Sequence, residues 1–329
     1  MITGMLSVGM QGAQCDHRAE RAGTSTARCM PQAALVPVAA VAWWVFGYLP
    51  WLIGGMGSSS SVSGRAGGPG VGGARLAVPL TSSLTWPLVF GALAGGVVAG
   101  MLGLVARPGH RWHTTMATLT GVGLAVTVAV GQAVVAARGG LRDELSAGPR
   151  VLAGLCLVVA LMALVGWALG ACATLGRAGT GIALAVLAEV TPQWLPGLLT
   201  QLLGTSPIGP LGTRGTIMVW LSSAMLAIAL AVIGIRPLSR LIWWPVALFV
   251  AWTVTPVLTS VAYLEPLIGP GTGFFGFLSD TIQETVQVLN SSAAFGVRPL
   301  APWVVAIAIG TCLAFTIARL TARATMAVS

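Results

Sequence analysis

Charged side chains are scarce in this sequence. Asp, Glu, Lys and Arg together supply 8% of its 329 residues, whereas apolar types supply 56%. A soluble domain carries roughly 25% charged residues, so this chain cannot cover a folded core with a water-facing surface. The composition excludes an ordinary soluble globule and predicts an all-α, polytopic bundle of transmembrane helices whose outer surface faces the lipid bilayer.

Lysine is absent, and all seventeen basic residues are arginines. Because lysine codons are AT-rich, this bias favours a high-GC bacterial genome. A positive net charge, here +9, is also a feature of nucleic-acid-binding proteins. The arginines, however, stand singly or in pairs between apolar runs and form no basic stripe with interleaved aromatics. We therefore predict a multi-pass protein of the bacterial plasma (inner) membrane with no nucleic-acid partner.

Motifs for enzymatic chemistry are missing as well. The chain has no GxxxxGK[ST] sequence and no GxGxxG between a strand and a helix, so no nucleotide site is predicted. Its five cysteines show no CxxC spacing, which predicts neither a disulfide nor a metal site. His110 and His113 lie in a basic turn without a nearby acid or cysteine, a pattern that favours lipid headgroup contacts over metal binding. We expect no metal, no cofactor and no catalytic residues.

Long apolar runs recur along the chain, and about 20 residues suffice to cross the hydrocarbon layer as a helix. The runs predict about eight membrane spans, of which the fifth is the least clear because it contains an acid and two prolines. The predicted spans cover residues 32–54, 86–106, 114–137, 151–174, 180–203, 216–235, 241–264 and 300–318.

Arginine placement predicts the orientation of these spans. With the N-terminus in the cytoplasm, ten arginines fall inside and seven outside, and the inside ones crowd very short turns, where the positive-inside effect is strongest. Both termini are therefore predicted to be cytoplasmic. The predicted organisation is a disordered N-terminal tail over 1–31, a transmembrane domain over 32–323 and a C-terminal tail over 324–329.

Two predicted outside segments differ in character. Residues 55–78 are rich in Gly and Ser, which predicts a flexible loop. The second segment, 265–299, contains FLSDTIQETVQVL, in which apolar residues recur at helical spacing and Thr281 and Glu284 have the register of a capping box. This pattern predicts an amphipathic helix near 279–290 on the membrane surface or on the bundle.

Small residues in two spans predict close helix packing. Lipid gives helices little hydrophobic reason to associate, so glycines that let two backbones approach closely matter more than they do in water. We expect these glycines to pack helices within the bundle; dimerisation through them is the alternative. They are Gly91, Gly95, Gly96 and Gly100 in the second span and Gly166 and Gly170 in the fourth.

The fifth span contains LAEVTPQWLP, where a carboxylate and two prolines interrupt an apolar run. Pro192 and Pro196 each lack a backbone donor, and Pro192 disfavours helical geometry at Thr191. We therefore expect a helix that is broken near Glu189 and Pro192, with pieces over about 180–190 and 192–203 and Thr191 as the N-cap of the second piece. Backbone N–H groups freed by the break would then face the carboxylate of Glu189.

These polar residues form a candidate intramembrane site. It comprises Glu189, Thr191 and Gln193 of the fifth span together with Thr255 and Thr259, which share a face of the seventh. One hypothesis is a proton- or solute-handling site of the kind found in transporters. The other hypothesis is a structural role, in which a protonated or capped Glu189 holds the bend. If the first helix piece is shallow, Glu189 lies in the membrane interface instead.

Polar residues are so scarce in the spans that a non-enzymatic subunit of a membrane or cell-envelope complex is the leading prediction for function. Such a subunit would have a protein partner or form a homo-oligomer. The alternative is a small-solute or proton-coupled transporter that uses Glu189 at a broken helix. An enzyme would require catalytic groups from a partner.

Overall fold

The computed structural model describes residues 32–57, 85–105, 111–140, 149–203, 211–262 and 299–328, together with five residues between 283 and 291. Every regular element in this part of the chain is helical, as the composition predicts. It contains eight α-helices: α1 (Gln32–Gly57), α2 (Thr85–Met101), α3 (Arg111–Gly140), α4 (Pro149–Ala171), α5 (Arg177–Leu203), α6 (Leu211–Ile233), α7 (Trp243–Ala262) and α8 (Ala301–Val328).

Five helical stretches are long and apolar enough to cross a membrane, with mean hydropathies between 1.5 and 2.4. They are Arg111–Gln132, Ala153–Leu175, Thr216–Ile233, Leu238–Ser260 and Ala301–Leu320. Two shorter apolar helices, Ala33–Tyr48 and Val89–Val105, accompany them. At 1.5 Å per residue a stretch of about 20 residues covers the hydrocarbon thickness, so these helices are compatible with a multi-pass membrane protein.

The outward faces of the helices carry large apolar side chains. Phe249 is 68% exposed, Leu157 60% and Phe315 49%. In water a continuous apolar exterior of this kind would drive aggregation, whereas acyl chains solvate it. The exterior is therefore compatible with lipid as the surrounding medium.

Helices α1 to α4 pack around one apolar core. Trp43 of α1 and Leu155 of α4 are among its largest buried side chains, and α2 and α3 contribute mainly alanine and valine. The indole N–H of Trp167 on α4 donates to the hydroxyl of buried Thr118 on α3 at 3.1 Å, which fixes the two helices against each other. Small side chains dominate this core, as expected where backbones approach closely.

One face of α2 lies against α1 through glycine. A Cβ placed on Gly95 would lie 2.6 Å from the carbonyl oxygen of Trp43. Gly91 meets the carbonyl of Gly47 in the same way, and a Cβ on Gly47 would lie 2.8 Å from the carbonyl oxygen of Gly91. Any larger residue at these positions would push the two helices apart.

The opposite face of α2 lies against α4. A Cβ on Gly96 would lie 2.5 Å from the carbonyl oxygen of Ala163, and one on Gly100 would lie 2.5 Å from that of Trp167. These two contacts repeat one turn apart, which aligns the two backbones along a common seam.

Glycines of α4 complete that seam. Gly166 faces the carbonyl of Leu93, and Gly170 faces that of Val97. All six glycines predicted for helix packing thus contact backbone of another helix in the same chain. Other helices of the same chain therefore occupy these glycine faces.

Helices α5 to α8 form a second group with its own core. Leu226, Leu230 and Ile233 of α6 are buried at its centre, against alanines of α5, α7 and α8. A third cluster joins the two groups, because Phe90 and Val97 of α2 pack with residues of α5 such as Val186 and Val190 and with α7. Helix α5 therefore lies between the two groups.

The predicted break in the fifth span is wrong. Helix α5 continues from Arg177 to Leu203 with Pro192 and Pro196 inside it. Thr191 is accordingly no N-cap; its hydroxyl donates to the carbonyl of Leu187, four residues earlier in the same helix, at 2.6 Å.

Packing explains why α5 stays continuous. Each proline removes one helical hydrogen bond and costs roughly 3 kcal/mol in an isolated helix. The α5 residues before the prolines are almost fully buried between the two helix groups, and their contacts offset that cost. They are Ala183, Ala185, Val186, Ala188 and Val190. In membrane-spanning helices prolines are also tolerated because neighbouring helices and Ser or Thr side chains can bond the backbone groups that proline frees.

Several predicted segments lie outside the described residues, namely the tail over 1–31, most of the loop over 55–78 and most of 265–299. Within the predicted surface helix over 279–290, the described residues Gln283, Val286, Gln287 and Asn290 are helical and exposed. At the C-terminal end, α8 continues to Val328, through most of the segment predicted as a tail over 324–329.

Candidate intramembrane polar site

Glu189 lies in α5 at the junction of the two helix groups. Its chain neighbours Ala188 and Val190 are buried, and Glu189 itself is half-buried. It is the only acidic residue in the described part of the chain; the other seven acids of the sequence fall outside it. A carboxyl group in such surroundings requires hydrogen-bond partners.

Two hydroxyl groups from two other helices supply such partners. Ser222 of α6 donates from its Oγ to Oε1 of Glu189 at 3.1 Å. Thr255 of α7 donates from its Oγ1 to Oε2 at 3.2 Å. One carboxyl group thus joins α5, α6 and α7, with one hydroxyl on each of its oxygens.

Most hydroxyl side chains in the described helices behave differently. Those of Thr120 and Thr127, for example, donate to a carbonyl one turn earlier in their own helix. That local bond is the default for Ser and Thr in a helix. Ser222 and Thr255 instead reach across to Glu189, so these three side chains form a polar cluster between helices, here called the Glu189 cluster.

The helix backbone contributes differently from what the sequence predicts. Because α5 is continuous, the backbone N–H groups after Glu189 belong to the helical ladder and do not form a free N-terminus that faces the carboxylate. The predicted stabilisation by a helix start therefore does not apply. The hydroxyl groups of Ser222 and Thr255 stabilise the carboxyl group instead, by donating hydrogen bonds to it.

The predicted site residues separate into three sets. Glu189 and Thr255 are brought together. Thr191 and Thr259 bond backbone carbonyls of their own helices, Thr259 donating to that of Thr255 at 2.8 Å. The side chain of Gln193 lies outside the described residues.

Ser222 is the member that sequence reasoning misses. The signal is the pair Ser222-Ser223 in the sixth span, two adjacent hydroxyls in an apolar run, and both side chains are buried. Ser223 donates to its own helix at the carbonyl of Val219, and only Ser222 faces Glu189. The rotation of α6 about its axis decides which serine meets the acid, and the sequence does not reveal that rotation.

The cluster holds a single carboxyl group, and its chemistry is that of a proton-binding and hydrogen-bonding group. Both hydroxyls can donate to a carboxylate, and either can accept if the carboxyl group is protonated. In the described part of the chain no three side chains of His, Cys, Asp or Glu come together as a metal site. Cys156, Cys172 and Cys312 are free thiols.

Comparison with known proteins yields no family model, curated protein or solved structure that matches this chain.

Proposed function

We propose that this chain is a non-enzymatic subunit of a membrane or cell-envelope complex in a bacterial plasma membrane. In this proposal its eight helices cross the bilayer with both termini in the cytoplasm. The single observation that carries the proposal is the use of Glu189, whose two carboxyl oxygens bond hydroxyls from two other helices. The one described acid thus serves cohesion of the bundle.

The arrangement accounts for an acid that is otherwise costly at this position. A buried polar group without partners costs about 1–3 kcal/mol, and more if it is charged. Once it is bonded, the same group favours one relative placement of the helices it joins, because a shifted helix would lose the bond. A rigid bundle with an apolar exterior is suited to holding other membrane proteins in place.

The first experiment compares Glu189→Gln with Glu189→Ala. Glutamine keeps an oxygen acceptor and an amide donor for the two hydroxyls, so we expect a loss below about 1 kcal/mol. Alanine loses both bonds and leaves a void, so we expect a loss of about 2–4 kcal/mol. Thermal unfolding of the detergent-solubilised protein measures both changes, with Thr259→Val as the control for a hydroxyl that bonds only its own helix. Equal losses for Gln and Ala would refute the structural role.

The second experiment tests the subunit role itself. The chain, tagged and expressed at its native level, is purified in a gentle detergent and its assembly mass is measured on native gels. We expect a complex larger than the 33.4 kDa chain, with one protein recovered in fixed ratio from both wild type and Glu189→Gln. A lone monomer that catalyses flux after reconstitution would overturn the proposal.

A transporter is the second candidate, and the half-buried state of Glu189 favours it. Ionisable residues inside membranes frequently mark proton or solute pathways, and hydroxyls on neighbouring helices are their common companions. In this case Glu189→Gln abolishes flux in proteoliposomes while the protein level and the unfolding temperature stay near those of wild type. Unchanged flux in that variant excludes this use of Glu189.

A further inference from the structure

Three arginines line one cleft at the end of the bundle where α5 begins and α6 ends. The cleft has a volume of about 310 Å³. Arg177, Arg236 and Arg240 lie around it, and all its other lining residues are apolar or glycine. Three like charges in one cleft repel each other, and an anion between them removes that repulsion.

Two glycines with positive φ build this end of the molecule. Gly176, with φ of 113°, precedes Arg177 at the start of α5, and Gly234, with φ of 77°, follows the end of α6. Residues with a side chain rarely adopt this backbone conformation. The indole N–H of buried Trp244 donates to the carbonyl of Gly234 at 3.2 Å and fixes the turn that leads to Arg236.

Arg177 is held in a defined orientation. Its Nε donates to the carbonyl of Val232 in the last turn of α6 at 2.9 Å, and its Nη2 would lie 3.8 Å from a Cβ on Gly234. Carbonyls of a last helical turn lack partners within the helix, and a cation there is favourable. A guanidinium group that is already oriented loses less side-chain freedom when it binds an anion.

The cleft lies at the level where apolar helices end. Four apolar stretches have an end at this side of the bundle: one stops at Leu175, one at Ile233 and one at Leu320, and one begins at Leu238. The wall contributed by α8 consists of Ala314, Ile317, Ala318 and Ala322. Ile317 of this wall is exposed.

From these features we infer that the cleft binds the phosphate group of an anionic phospholipid, with the acyl chains along the apolar wall that α8 contributes. Guanidinium groups match phosphate oxygens in pairs, and basic pockets between membrane helices favour anionic headgroups. A lipid fits better than free phosphate because the cationic end of the cleft adjoins an apolar wall. This inference rests on membrane embedding and is independent of the subunit role.

The test counts lipids retained by the full-length protein in detergent by native mass spectrometry. Dioleoyl phosphatidylglycerol is compared with dioleoyl phosphatidylcholine, and inorganic phosphate is added as a competitor. We expect wild type to retain one phosphatidylglycerol per chain in preference to phosphatidylcholine, and equimolar inorganic phosphate to leave it bound. No such preference, or displacement by phosphate, would overturn the inference; displacement would point to a free-phosphate site.

A pair of matched variants locates the site. Arg236→Gln with Arg240→Gln removes two cleft cations, and we expect the affinity for phosphatidylglycerol to fall about tenfold or more. Arg319→Gln with Arg323→Gln removes the same charge from exposed positions of α8 that do not line the cleft, and we expect at most about a twofold change. Equal losses in the two pairs would overturn the inference in favour of general surface charge.

The two proposals fail separately. Loss of lipid retention with an intact assembly mass removes only the lipid site, whereas a lone monomer that still retains phosphatidylglycerol removes only the subunit role. If the cleft variant does not fold, wild type alone can still overturn the inference, either by showing no preference for phosphatidylglycerol or by losing it to phosphate.

Discussion

Alanine at Gly96 and Gly100 tests the packing of α2 against α4 most directly. A Cβ at either position would lie 2.5 Å from a carbonyl oxygen of α4, whereas ordinary contacts begin near 3.4 Å. The two backbones must therefore separate locally by about 0.9 Å, the difference between these two distances. Both contacts are to backbone, so no side-chain rotation relieves them.

The expected magnitude follows from two opposing effects. Overpacking of a close-packed interface costs typically about 1–3 kcal/mol per site. Alanine regains up to about 1 kcal/mol per site in helix propensity. The double variant Gly96→Ala/Gly100→Ala should therefore lose about 2 kcal/mol net. At an unfolding entropy of about 2.1 cal/mol/K per residue, this loss lowers the unfolding temperature of a 329-residue chain by roughly 3 °C.

The assay is thermal unfolding in detergent, followed by tryptophan fluorescence or by loss of the monodisperse peak. Gly123→Ala is the matched control, because a Cβ on this glycine of α3 meets nothing within 4 Å. We expect the control to unfold at the temperature of wild type or slightly above it. A double variant as stable as wild type, or a control equally destabilised, would refute the close approach of α2 and α4.

Two further substitutions probe single contacts by the same assay. Trp167→Phe removes the donor to buried Thr118 and should lower the free energy of unfolding by about 1 kcal/mol. Trp112→Phe, at a position that is 71% exposed, is the control and should change it little. Equal effects of the two variants would contradict the hydrogen bond between α3 and α4. Gly234→Ala places a side chain at φ of 77° and should lower the free energy of unfolding by about 1–2 kcal/mol. Gly131→Ala, where a Cβ meets nothing within 4 Å, is the control and should not lower it. A Gly234→Ala variant as stable as wild type would refute the conformational requirement for glycine in this turn.

Helix location is well predicted by the sequence because lipid imposes it locally. A run of about 20 apolar residues has few alternatives to a helix when no water can bond its backbone. The predicted run over 151–174 therefore agrees with α4 and its short 3-10 extension, which together end at Leu175.

The break in α5 is wrong for an equally physical reason. Proline weakens a helix locally, but whether the helix is interrupted depends on packing energy from helices distant in sequence. Val186 and Val190 are buried against α2 and α7, and these contacts are not visible in the LAEVTPQWLP segment. A local signal was therefore overridden by tertiary contacts.

The candidate site likewise contains residues that the sequence identifies and one that only the tertiary structure identifies. Glu189 stands out in the sequence as a lone acid in an apolar run, and Thr255 stands out as one of two threonines on one helical face. Ser222 does not, because adjacent serines are common and only the rotation of α6 turns one of them toward the acid. Arg177, Arg236 and Arg240 likewise appear in the sequence as separate markers of membrane orientation, and their shared cleft appears only in three dimensions.

Composition and apolar run length thus determine by themselves that this chain is an apolar helical bundle, since backbone hydrogen bonding and transfer into lipid depend on each segment alone. Which faces meet is decided by tertiary structure, because it depends on how side chains of separate helices fit together. The continuity of α5, the partners of Glu189 and the convergence of three arginines all belong to that second kind of information.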